Sequence, residues 1–173
     1  MNALIRLFAR VCLFRSGPED IPFAPPLVAI LLAIWLLVQF INGALQTGLS
    51  VAQMIGVQML SMLLMLGASA AILAFKGLQA RWTQTALALI GVDIALSLVS
   101  IPLLLLNHAI GQQIPLINGL YLMLVVWQLA VQSFIYHRAL SVSPLLGLAL
   151  AFGLLVFTFM LIGAWMPEVF ETA

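Results

Sequence analysis

The chain has 173 residues, of which 65% are hydrophobic and only 6% charged, with a mean hydropathy of +1.24. Soluble domains carry about 25% charged and 45–50% apolar residues, so a globule surrounded by water is excluded and the solvent must be largely lipid. The single cysteine, Cys12, excludes an internal disulfide, and no Cys/His cluster suggests a metal site.

Residues 2–15, NALIRLFARVCLFR, have helical periodicity, with Leu4, Leu7, Phe8 and Val11 on one face and Arg6 and Arg10 on the other. This pattern predicts an amphipathic interfacial helix within residues 1–22. Phe8 and Leu4 are expected to dip into the membrane, while Arg6, Arg10 and Arg15 meet anionic headgroups. Cys12 reads as a small apolar packing residue. In SGPED, Gly17 suits a helix C-terminus and Pro18 cannot continue one. Ser16 and Glu19 have capping-box spacing for one short turn. Glu19 and Asp20 are also a candidate docking site for a partner's basic residues. Pro22, Pro25 and Pro26 keep the following stretch extended on its way into the bilayer.

A membrane-crossing helix needs about 20 mostly apolar residues, and five segments within 23–166 qualify: 27–45, 54–75, 83–106, 116–136 and 145–166. Pro102 is expected to break the third near its end. The separators NGALQTG, KGLQARW, NHAIGQQIP and HRALSVSP are short, which predicts an all-α, compact antiparallel bundle. Residues 167–173 would form a short tail. Small residues predict close helix approach at Gly56 and Gly67–Ala71 in the second span, and at Gly147, Gly153 and Gly163 in the fifth.

All six Lys/Arg residues fall on one side of this arrangement: Arg6, Arg10, Arg15, Lys76, Arg81 and Arg138. The alternate loops, 46–53 and 107–115, have none. Short basic loops stay cytoplasmic, so the expectation is a multi-pass bacterial inner-membrane protein with its N-terminus inside and its C-terminus outside.

Asp93 is the one acidic residue inside a span. A charged side chain there costs about 2.5–3.5 kcal/mol on insertion scales, so it must face other helices or carry a proton. Gln128 lies at similar depth in the fourth span and Gln132 continues its face at i+4. Asp93 with Gln128 and Gln132 is therefore the expected intramembrane polar contact, worth about 0.6–2 kcal/mol. Ser69 and His137 could be imagined as an intramembrane serine dyad, but GASA is a common packing string and His137 beside Arg138 suits an interfacial cap. No Gly-x-Gly-x-x-Gly or P-loop is present, and no cofactor, nucleic-acid partner or enzymatic activity is expected.

The run LFRSGPEDIPF ahead of a small polytopic domain resembles a group of small proteobacterial inner-membrane proteins. The five-span layout with an inside N-terminus resembles the Yip family of membrane proteins. That resemblance implies partners among small Rab-type GTPases and roles in membrane trafficking and shaping. The family's Asp-Leu-Tyr-Gly-Pro signature is missing and only Gly17-Pro18 echoes it, so no functional residue carries over. The leading expectation is an interaction or scaffold protein working through lipids, a membrane-protein partner or a second copy of itself. The alternative is a small transporter or channel component using Asp93. A polar cavity reaching Asp93 separates the two.

Overall fold

The computed structural model describes residues 2–46, 50–110 and 115–165. Among these residues the chain is helical and contains no strand. Its helices are α1 (Asn2–Cys12), α2 (Pro25–Leu45), α3 (Val51–Phe75), α4 (Trp82–Ile110), α5 (Pro115–Leu140) and α6 (Pro144–Trp165). The five from α2 to α6 are long and apolar enough to cross a membrane. The expected tail 167–173, Met166 and loop residues 47–49 and 111–114 lie outside the described residues.

Proline starts three of these helices at the first helical position, Pro25, Pro115 and Pro144. There its missing N–H has no intrahelical partner to lose and its φ is already helical. Ser50 starts α3 with a reciprocal capping box: its Oγ accepts from Gln53 N at 3.2 Å, and Gln53 Oε1 accepts from Ser50 N at 3.0 Å. Pro102 does not break its helix as expected. α4 runs through it to Ile110, because within packed helices the backbone group freed by a proline can be satisfied by local adjustment.

Three helices end on a left-handed residue: Phe14 (φ 58°) after α1, Gly77 (φ 70°) after α3 and Ser141 (φ 51°) after α5. In each, an N–H reaches back five residues, Arg15 to Arg10 O at 2.8 Å, Leu78 to Leu73 O at 2.7 Å and Val142 to His137 O at 3.2 Å. Gly77 takes this conformation freely, whereas a side chain makes it unfavourable. Phe14 is held there by its ring, which lies 5.6 Å from Trp127 and 5.5 Å from Phe134 between centroids. The end of α1 is thus set at Phe14 and not at Gly17, whose φ of −101° any residue adopts. The short turn after it is a 3₁₀ turn, Pro18–Asp20, closed by Gly17 N donating to Asp20 Oδ2 at 2.9 Å. The polar closure runs from 17 to 20, one residue later than the Ser16/Glu19 spacing suggested.

α4 is the central element. It packs against α1, α2, α3 and α5, while α6 packs on α5 and α3. Ala86, Leu87, Ala88, Leu89, Ile90 and Val92 are all buried in it. α1 lies on α4, where Phe8 and Val11 are buried and Leu4 and Leu7 are partly buried against the core. The face expected to dip into lipid therefore packs on protein. Gly91 makes this approach possible, since a Cβ there would run into the Phe8 ring. Trp127 Nε1 donates to Cys12 O at 3.1 Å and ties α1 to α5. Burial pushes the Cys12 thiol up to about 11, opposed in part by a backbone hydrogen bond.

Among the expected small-residue contacts, Gly147 is closely approached, a Cβ there lying 2.6 Å from Ser133 O on α5, and Ser69 of the second-span string is buried against Tyr136. Gly56, Gly67 and Gly153 have open space around them. A glycine-rich string marks where a helix could be approached, but the neighbour decides which glycine is used.

These two close approaches have different expected outcomes on substitution. Gly147→Ala pushes a methyl into backbone and should destabilise by about 1–3 kcal/mol, read as a lowered Tm in detergent. Gly91→Ala meets only a side chain and should displace α1 with a smaller loss of Tm. Its signature is faster alkylation of Cys12, and an unchanged alkylation rate would contradict the α1–α4 contact.

Candidate functional site

The site is built on α4 at Asp93, the twelfth residue of its helix. Two neighbours supply hydrogen-bond donors. From α2, Trp35 Nε1 donates to Asp93 Oδ2 at 2.6 Å and Gln39 Nε2 to the same oxygen at 3.1 Å. From α5, Gln128 Nε2 donates to Oδ1 at 2.6 Å. All three groups are N–H donors, which the two oxygens of the Asp93 side chain accept. Among the described residues no cationic side chain pairs with it.

Trp35, Gln39 and Asn42 follow one another at i, i+4 and i+7, which places them on one face of α2. All three are buried, at 3%, 5% and 6% exposure. Their polar atoms form a chain: Asn42 Nδ2 donates to Gln39 Oε1 at 3.4 Å, and Gln39 Nε2 also approaches Ser97 Oγ at 3.5 Å. The sequence carried this signal as a polar stripe in WLLVQFIN, within an otherwise apolar span. An indole and two amides are neutral, and only the carboxylate they face on another helix makes them a site.

One continuous cavity of about 90 Å³ starts at Asp93 and Gln128 and is lined further along by Asn42, Gln46, Gln58, Ser97, Ser100 and Tyr121. Its lining residues run toward the C-terminal ends of α2 and α4 and the N-terminal ends of α3 and α5. Along α4, Asp93 to Leu104 spans about 16 Å at the helical rise. A water needs roughly 10–15 Å³ on this measure, so the cavity can hold several. Asn42 is one of its lining residues, and the buried Asn42 Oδ1 has no hydrogen-bond partner among the described residues.

Of the expected polar set, Gln128 is brought to Asp93 and Gln132 is not. Gln132 Nε2 faces Met65 Sδ on α3 at 3.5 Å instead. One helical turn along α5 is enough to turn the second glutamine from α4 toward α3. Arg6, Arg10 and Arg15 are exposed. Glu19 pairs with Arg138 and Asp20 closes its own turn, so both carboxylates of the candidate docking pair are engaged within the chain. Ser69 Oγ lies 2.6 Å from Met65 O and 3.0 Å from Tyr136 Oη, while His137 Nδ1 contacts Val142 O. Ser69 and His137 are thus each partnered elsewhere.

A second, more open cavity of about 570 Å³ lies at the opposite end, lined by Glu19, Arg81, Gln84, His137, Arg138 and Ser141 among others. Its cations are committed. Arg81 Nη1 donates to Ala139 O at 3.2 Å and Ser141 Oγ at 3.0 Å, and Arg138 holds Glu19. These groups join the C-terminal end of α5 to the turn before α4 and to the Pro18–Asp20 turn, and Lys76, at the end of α3, adds a bond from Nζ to Leu140 O at 2.9 Å.

Comparison with known proteins finds no match: no family model, no curated protein and no solved structure.

The two glutamines of α5 should differ on substitution. Gln128→Leu withdraws a donor from a carboxylate inside the helices and should lower stability by about 1–3 kcal/mol. Gln132→Leu gives up a long N–H···S contact and should stay within about 0.5 kcal/mol. Thermal unfolding in detergent checks both, and equal losses would contradict the assignment of Gln128 alone to Asp93.

Proposed function

We propose that this chain is a multi-pass bacterial inner-membrane protein that takes a small polar solute at Asp93, as a component of a transport or channel system. The carrying observation is the polar cavity that reaches Asp93. A protein acting only as a scaffold needs packed helices and an exposed docking face. It has no use for a water-sized space beside an unpaired intramembrane acid, which is expensive to keep and typically marks an ion or substrate path.

The Lys/Arg asymmetry orients the site. Lys76, Arg81 and Arg138 gather at one end of the helices, and short basic segments remain cytoplasmic. The cavity then opens outward and the N-terminus lies inside. α1 sits at the inner leaflet surface, its apolar face on α4 and its exposed Arg6 and Arg10 reaching anionic headgroups. The protein acts by binding and passage rather than by catalysis, since Ser69 and His137 serve packing and capping contacts.

Thiol labelling from each side of the membrane tests this reading in a Cys12→Ser background. Ser97→Cys should react with a small, membrane-impermeant cationic methanethiosulfonate added outside. Ser69→Cys, at a position 3% exposed, should stay unreactive, and Leu78→Cys should react only from inside. A Ser97→Cys thiol as silent as that of Ser69→Cys would return the protein to the scaffold reading. External labelling of Leu78→Cys would reverse the orientation.

A further inference from the structure

The oxygen atoms around Asp93 narrow the solute further, and this step rests on the cavity being reached by water. We propose that the Asp93 cavity binds a small monovalent cation. The sign of the charge comes first. Three N–H donors occupy three of the roughly four acceptor positions of a carboxylate. Oδ2 takes two of them, from Trp35 and Gln39, and Oδ1 takes one, from Gln128. Oδ1 therefore keeps a free acceptor position. Hydrogen bonds from neutral groups spread the charge without cancelling it, and among the described residues no cationic side chain does so.

Asn42 supplies the second, independent oxygen. Its amide nitrogen is used on Gln39 Oε1, while its Oδ1 has no partner although the residue is 94% buried, its exposure being 6%. A buried carbonyl oxygen left without a partner costs about 1–3 kcal/mol. Hydroxyls complete the wall. Ser100 Oγ donates to Ser97 O at 2.8 Å, which leaves the lone pairs of its own oxygen unused. Ser97 Oγ lines the same cavity.

The chemistry that satisfies this wall is a positive charge that accepts oxygen ligands or donates several hydrogen bonds. An anion has the wrong sign, and a neutral solute would leave the carboxylate charge uncompensated inside the membrane. One formal charge matches a monovalent ion. Among the described residues no three His, Cys, Asp or Glu side chains converge, whereas Ca²⁺ and Mg²⁺ usually draw on more than one carboxylate or on substrate phosphates. A volume of about 90 Å³ admits an alkali ion with part of its water shell, or ammonium. The two share the carboxylate–carbonyl–hydroxyl recognition.

The experiment measures the Tm of the purified full-length chain in detergent, in NaCl, KCl and NH4Cl, each against equimolar N-methyl-D-glucamine chloride. At least one small cation should raise Tm by about 3 °C at about ten times its dissociation constant. The shift should vanish in Asp93→Asn and shrink in Asn42→Ala. The same cation should slow labelling of the Ser97→Cys thiol several-fold. A shift with Na⁺ or K⁺ alone assigns a metal ion, and one with NH4⁺ alone an ammonium group. Equal Tm in all salts with no slowing of labelling overturns the proposal, as does a shift that survives in Asp93→Asn. Should Asp93→Asn fail to fold, the salt series on the parent, Asn42→Ala and protection at Ser97→Cys decide. External labelling of Ser97→Cys without any cation effect removes the cation and leaves the solute-accessible site. Loss of both removes the transport reading as well.

Discussion

A carboxylate in an apolar helix has to be satisfied by its neighbours, and Asp93 draws its partners from two different helices. Trp35 and Gln39 approach from α2 and Gln128 from α5. In lipid there is little hydrophobic drive between helices, so directional polar contacts and close packing carry much of the specificity. The three donors fix the rotation of α2 and α5 about their axes relative to α4. They also explain why α4 is central: the element with the costliest side chain is the one most completely surrounded.

The same fixing leaves the cavity. Past Asp93, the faces of α2, α4 and α5 present Asn42, Ser97, Ser100 and Tyr121. These groups are too polar to close on one another as leucines would. On the other side of Asp93, Ile90, Leu87, Val131 and Ile135 pack without comparable polar space. The polar space beside Asp93 thus runs toward one end of the helices, while the stretch of α4 and α5 just beyond Asp93 on the other side is closed by apolar side chains.

The basic end does structural work with the residues that set the charge bias. Lys76 and Arg81 donate to the carbonyls of Leu140 and Ala139 at the C-terminus of α5. Free carbonyls and the negative end of the helix dipole favour cations there. Arg138 holds Glu19, and Gln84 Nε2 donates to Ile21 O at 2.7 Å. The N-terminal segment is thus tied to α4 and α5 just before it enters α2.

Composition and periodicity by themselves determined that this chain is helical, that five segments are long and apolar enough to span, and that its Lys and Arg residues fall in alternate connecting segments. Each follows from local facts: the apolar length a bilayer demands, the prolines that start helices and the positions of six cations. They also singled out Asp93 and Gln128, because a charge and an amide at equal depth are rare in such spans. Only the tertiary structure decided that Trp35, Gln39 and Asn42 complete the site. Neutral polar groups become significant through what they face, and facing is a relation between helices far apart in the chain. For the same reason it decided between Gln128 and Gln132, and between Gly147 and the other glycines. It placed Phe8 against Gly91 instead of in lipid, since an apolar face buries itself equally well in either and sequence carries no term that separates them.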